Sequence, residues 1–229
     1  TVTVYAKPRA ALMPTGDELC SPETPLRPGK IYDSNGPMLA ARMLRLGAEP
    51  TLLAAGPDDP AALAGKLARL LAEYPLVITT GGVSVGDRDY LPQAAEEAGA
   101  KLLFYGIDAK PGTPALAAGK DGHVLLCLSG NPFASFATFE LLARPALAKL
   151  QGADPAPVRV RAALANGFGK PSPLRRFVRA TLMGGVVTLP KGGHFSGGIG
   201  ALAGCNCLVD VPAGSRALNA GDEVEVILL

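Results

Sequence analysis

Four short apolar runs between residues 10 and 128 each empty into a loop of glycines, hydroxyls and acids, and this pattern constrains the fold more than any other feature. The clearest is Leu76-Val77-Ile78-Thr79-Thr80, followed by Gly81-Gly82-Val83-Ser84-Val85-Gly86-Asp87-Arg88-Asp89-Tyr90. An apolar, β-branched run of this length reads as a strand buried on both faces of a parallel sheet. The loop at its carboxyl end lies where open α/β sheets bind ligands. Glycines there let main chain approach a ligand closely. No G-K-[ST] follows and no G-x-G-x-x-G occurs, which disfavours an ordinary P-loop or dinucleotide fold.

The other runs repeat the theme. Ala10-Ala11-Leu12-Met13 reads as a strand entering Pro14-Thr15-Gly16-Asp17-Glu18. Asn35 is expected to cap a helix to about Leu46, with Met38, Leu39, Met43 and Leu46 inward and Gly47 as its stop. Residues 50–55 form a strand. Asp59 then caps a helix to about Glu73, with Pro60 in its first position. Strands are expected over 101–107 and 124–128, a short helix over 91–98, and a long apolar helix from Pro132 to Leu150. Repeated βα units imply a doubly wound, mostly parallel sheet over residues 1–152. Gln151-Gly152-Ala153-Asp154-Pro155-Ala156-Pro157 is a linker signal. Short alternating runs and glycine-rich turns follow, so residues 153–229 are expected to form a small all-β, barrel-like domain. The Arg159/Arg161 and Arg175/Arg176/Arg179 clusters read as a solvated strand face.

Composition narrows the chemistry. Of 229 residues 48% are hydrophobic and 18% charged, a globular balance. A net charge of +2, spread along the chain, argues against nucleic acid or an anionic membrane as partner. No apolar run approaches the ~20 residues needed to span a bilayer. No signal peptide is visible at Thr1-Val2-Thr3-Val4, and the missing initiator Met suggests either a fragment of a longer protein or a processed chain. Four scattered cysteines read as free thiols in a reducing, cytoplasmic setting, not as a zinc site. With only His123 and His194, chemistry must rest on carboxylates, lysines, hydroxyls and backbone amides.

All four loops, at residues 15–18, 58–59, 81–89 and 129–132, should open on one edge of the sheet. The turn Lys110-Pro111-Gly112-Thr113-Pro114 adds one ammonium group. Glu18, Asp58, Asp89 and Lys110 thereby gather near free backbone amides, a mix suited to an anionic, phosphate-bearing ligand and a cation or acid/base group. Asp59 is better read as a helix cap, and Asp17 and Asp33-Ser34-Asn35 also have local turn or capping readings.

These segments, taken in order, resemble the molybdopterin molybdenumtransferases of the MoeA type, whose animal counterpart is the gephyrin E domain. The resemblance rests on Thr15-Gly16-Asp17-Glu18-Leu19, Gly29-Lys30-Ile31-Tyr32-Asp33-Ser34-Asn35, Asp58-Asp59-Pro60, the loop from Gly81 to Gly86 with Asp89-Tyr90, Lys110-Pro111-Gly112 and Gly130-Asn131-Pro132. It implies a MogA-like α/β domain followed by the family's β domain. It also implies binding of adenylylated molybdopterin and magnesium-dependent insertion of molybdate with release of AMP. Catalytic positions carry over to Glu18, Asp58, Asp89 and Lys110, with Asp58 and Asp89 as metal ligands. Ligand contacts carry over to Thr15, Gly16, Asp17, Asp33, Asn35, Gly81, Gly82, Ser84, Gly86, Gly112, Gly130 and Asn131, and to Ser196 lent by the β domain. The chain departs from the family at Gly106 and Thr113, where lysines are expected, and at Ser129, where the family has proline. Family members carry two further domains before this point and complete the cleft across a homodimer. The resemblance therefore implies turnover only in that dimer; the alternative is a non-catalytic binding or scaffold module.

Overall fold

The computed structural model describes residues 1–56, 59–83, 90–191 and 195–229. Strand β1 (Arg9–Pro14) is followed by a two-stranded parallel ribbon, β2 (Leu19–Cys20) and β3 (Ile31–Tyr32), which the sequence did not announce. Helix α1 (Asn35–Arg45) starts one residue away from expectation: Asn35 is its first helical residue, not its cap. The capping bond comes from Asp33, whose Oδ1 accepts the Gly36 N–H at 3.0 Å. Strand β4 (Glu49–Leu52) leads to α2 (Pro60–Glu73), where Asp59 Oδ1 accepts the Ala62 N–H at 2.7 Å as expected of a cap. Then come β5 (Leu76–Thr80), α3 (Leu91–Glu97), β6 (Lys101–Tyr105), the two-residue β7 (Ala109–Lys110), β8 (Leu116–Lys120) and β9 (His123–Leu128).

Strands β4, β1, β5 and β9 run parallel, and β8 and β6 extend the sheet antiparallel, giving the order β4-β1-β5-β9-β8-β6. Side chains alternate across the pleat, so each strand feeds two cores. Ala11, Met13, Val77 and Cys127 pack under α2 and α3 with Leu63, Leu67, Leu71 and Ala94. Ala10, Leu12, Ile78 and Leu128 face Leu39 and Met43 of α1, and Phe139 and Leu147 on the opposite side. Burying a side chain of this size stabilises by about 1.5–3 kcal/mol, which is why the runs tolerate no polar interruption.

The expected long helix after β9 is three pieces: α4 (Pro132–Thr138), a π-helical turn (Phe139–Ala143) and α5 (Arg144–Leu150). The wide turn carries Glu140, whose buried carboxylate takes both Arg42 Nε at 2.6 Å and Arg42 Nη2 at 3.0 Å from α1. Arg144, one turn on, donates to the Leu228 carbonyl at 3.1 Å, tying the helix to the end of the chain.

Five strands then close a barrel: β10 (Arg159–Leu164), β11 (Arg175–Met183), β12 (Val186–Thr188), β13 (Cys207–Val211) and β14 (Glu223–Leu228), with β11–β12 pairing as the closure. Val178, Ala180, Val209 and Val226 fill it. Strand β7, from the first half of the chain, pairs with β11 in parallel, matching Lys110 to Arg176. Phe133 and Ala137 of α4 pack on Phe177, Leu208 and Ile227 of the barrel.

The arginine clusters are not a uniform solvated face. Arg161 is exposed beside Glu223, but Arg159 and Arg175 converge on buried Asp210, and Arg179 is only 1% exposed. All four cysteines are free thiols. No helix among the described residues is long and apolar enough to cross a membrane.

Candidate functional site

The carboxyl ends of β1, β5 and β9 open side by side, and their loops form one wall of a cleft. Thr15 is buried at its base, its N–H and hydroxyl both directed at the Thr80 carbonyl, at 2.8 and 3.3 Å. Gly81 follows with φ +89°, and a Cβ there would sit 2.5 Å from the Thr15 carbonyl oxygen, so only glycine fits. Gly82 is also left-handed, at φ +67°. Asn35, at the start of α1, donates Nδ2 to the Gly130 carbonyl at 2.8 Å and so ties the helix to the loop after β9.

Two joined cavities occupy the cleft. The larger, about 640 Å³, is lined by Thr15, Glu18, Asn35, Gly81, Gly82 and Gly130, with Leu19, Ile31, Val83 and Ile199 as apolar wall. The smaller, about 380 Å³, is lined by Lys110, Gly112, Arg176, Phe177, Phe195 and Ser196. Pro114, Ser129 and Asn131 line both. The barrel thus supplies a second wall, and Phe133 N–H donates to the Ser196 carbonyl at 2.8 Å where the two walls meet.

Most residues singled out from sequence come together here. Three stand back. Asp33 is spent on capping α1, Gly16 lies under the Glu18 carboxylate, and Asp17 is exposed with its carbonyl accepting from Lys30 Nζ. Asp58, Ser84, Gly86 and Asp89 lie outside the described residues. Among the described residues no group of three or more His, Cys, Asp or Glu gathers to hold a metal, and Glu18 is the one carboxylate lining the cleft. Ser129 is buried, with its Oγ accepting the Asn131 N–H at 3.4 Å, so it serves the loop. The Thr113 hydroxyl donates to the Ala109 carbonyl at 2.8 Å.

Of the barrel's share, sequence reasoning picked out Ser196 but missed Arg176 and Phe177 in the lining and Arg179 behind it. Arg179 holds the loop that presents Ser196: Nη1 donates to the Gly198 carbonyl at 3.2 Å and Nη2 to the Phe195 carbonyl at 3.1 Å. Its guanidinium carbon lies 4.5 Å from the Phe133 ring centroid, a cation–π distance. Burial pulls its pKa down, yet guanidinium stays protonated, and its Nε is buried without a partner among the described residues. The only available signal was the Arg175-x-Phe177-x-Arg179 alternation, shared by ordinary strand faces.

Comparison with known proteins matches both halves of the chain. The family model for a probable molybdopterin binding domain covers residues 11–149, and that for the MoeA C-terminal region (domain IV) covers residues 161–229. Proteins called molybdopterin molybdenumtransferase from Staphylococcus epidermidis and Staphylococcus aureus are 40% identical over 231 aligned positions, covering 99% of this chain and 55% of theirs. The chain therefore spans about half the length of these curated relatives. A molybdopterin biosynthesis moeA protein from Pyrococcus horikosii superposes with a TM-score of 0.84 at 28% identity, over 97% of this chain and 54% of that one. A molybdenum cofactor biosynthesis protein from Pyrococcus furiosus does so with a TM-score of 0.72 at 28% identity, over 98% and 68%.

Proposed function

Since the chain belongs to the MoeA-type molybdopterin molybdenumtransferase family, we propose that its cleft binds adenylylated molybdopterin and, in the complete homodimer, inserts molybdate with release of AMP. The observation that supports this is the convergence of three strand-end loops and the Lys110–Ser196 wall on one two-lobed cleft. The smaller lobe has two cations, Lys110 and Arg176, and no acid among its described lining residues, which suits the anionic part of the substrate. Lys110 steadies negative charge on the oxyanion or on the departing phosphate. Glu18, exposed at the opposite lobe, is placed to exchange protons with the ligand. Magnesium is the family's expected cofactor, held by Asp58 and Asp89. The described residues assemble no site for it. The setting is the cytoplasm, with no nucleic acid or membrane partner.

Calorimetry of the chain with molybdopterin or its adenylate tests the reading. Lys110→Ala should weaken binding about tenfold, the low end for a charge-assisted contact in an open site. Equal binding by both proteins, or binding by neither, would overturn it. A non-catalytic module is the second reading, favoured by Gly106 and Thr113: the first brings no side chain and the second spends its hydroxyl on Ala109. Reconstitution of an apo-molybdoenzyme by the full-length protein, adenylate and molybdate would exclude it.

A further inference from the structure

Two buried polar atoms in the wall of the larger lobe have no partner among the described residues. Asn35 is 7% exposed, and its Nδ2 bond to Gly130 fixes which way the amide points, leaving Oδ1 unpaired. Thr80 is 1% exposed with Oγ1 likewise unpaired, although its carbonyl accepts twice from Thr15. Such atoms are nearly always hydrogen-bonded in native proteins, because burial strips their water without replacing it. Here two occur on different elements, the start of α1 and the end of β5, in one cavity wall.

The rest of the lobe says what is missing. Among its described lining residues there is no Lys or Arg, and Glu18 is the only charged one. An oxyanion would bring acceptors alone and meet Glu18 and Asn35 Oδ1 with no hydrogen between them. A ring bearing N–H groups brings the donor that Oδ1 lacks, while the Thr80 hydroxyl can donate or accept. Leu19, Ile31, Val83 and Ile199 offer apolar surface to the ring's faces.

We propose that Asn35 and Thr80 are specificity residues that hydrogen-bond the N–H-bearing edge of a heterocycle in the larger lobe. This deepens the function proposed above and rests on it, because adenylylated molybdopterin carries two such rings, the pterin and the adenine.

Titration of the intact 229-residue chain with paired probes, followed by protein NMR shifts, tests this. One pair is pterin against lumazine, in which a carbonyl replaces the 2-amino group; the other is adenosine against purine riboside, which lacks the 6-amino group. One amino-bearing probe should bind about tenfold more tightly than its partner, and that pair identifies which ring occupies the lobe. The preference should vanish in Asn35→Ala and in Thr80→Val, the second of which keeps its shape and leaves the Gly130 contact alone. No binding by any probe, equal binding within both pairs, or a preference that survives both substitutions would overturn the proposal. Any of these alongside molybdopterin binding removes this inference alone. A ring preference without molybdopterin binding removes the proposed function instead.

Discussion

On the α/β side the cleft is shaped by main chain: Thr15 and Thr80 interlock, and Gly81 and Gly82 turn through left-handed conformations that bring the loop onto Thr15. On the barrel side one buried side chain does the shaping. Arg179 reaches from β11 to two carbonyls of the 195–198 segment and lies over Phe133 of α4. The first wall stands on backbone geometry written into a sheet edge, the second on a cation with no carboxylate beside it among the described residues. Such a wall is easier to dismantle, because a single truncation removes its anchor without touching the sheet.

Arg179→Ala should therefore have the largest effect. It empties a fully buried volume and orphans two carbonyls, offset in part by no longer burying a charge. A loss of about 3 kcal/mol in urea unfolding is expected, together with faster hydrogen exchange at the Phe133 amide, whose acceptor is Ser196. Unchanged Phe133 exchange would show that the barrel loop is held by something else.

Gly81→Ala attacks the other wall. The new Cβ would meet the Thr15 carbonyl at 2.5 Å in a left-handed backbone, so the loop must shift. About 2 kcal/mol of destabilisation is expected, measured by the same unfolding. Because the β5–β1 ladder stays intact, Phe133 exchange should not change. If both substitutions altered that amide alike, the two walls would be one cooperative unit.

The same contrast governs what could be read from sequence. Apolar runs ending in glycine and hydroxyl announce a parallel strand and its ligand-binding edge, since burial on both faces dictates composition; β5 starts and stops where the pattern said. Asp59-Pro60 announced α2 for an equally local reason. Arg179 was illegible because an arginine facing solvent and one facing a phenylalanine across domains have the same neighbours in sequence. The π turn at Phe139–Ala143 lies inside an apolar run that reads as one continuous helix, and its Glu140 pairs with Arg42 of a distant helix, a contact no local pattern announces. The pairing of β7 with β11 joins Lys110 to Arg176 across a long stretch of chain, which no local pattern encodes. Asn35 reads in sequence as a cap and, through the family resemblance, as a ligand contact; its Nδ2 ties α1 to Gly130, while Asp33 two residues earlier holds the capping bond.

A smaller effect separates Arg179 from its neighbours on the same strand. Asp210 is 4% exposed, and burial alone would push its carboxyl pKa up. Hydrogen bonds from Arg175 and Arg159 outweigh that and hold it below the ordinary carboxylate range. With the folded value depressed, the ionised carboxylate contributes stability above pH ~4, and that contribution is lost as pH falls through the folded pKa. Asp210→Asn should flatten the acid limb of the stability curve below pH ~4 while leaving the urea midpoint's pH dependence between 6 and 8 unaltered. Arg179 has no such partner among the described residues, so Arg179→Ala should shift the whole curve downward without changing its acid slope. Parallel acid limbs for wild type and Asp210→Asn would mean that Arg159 and Arg175 fail to hold the carboxylate in solution, and the barrel's outer arginines would then be as unpaired as the inner one.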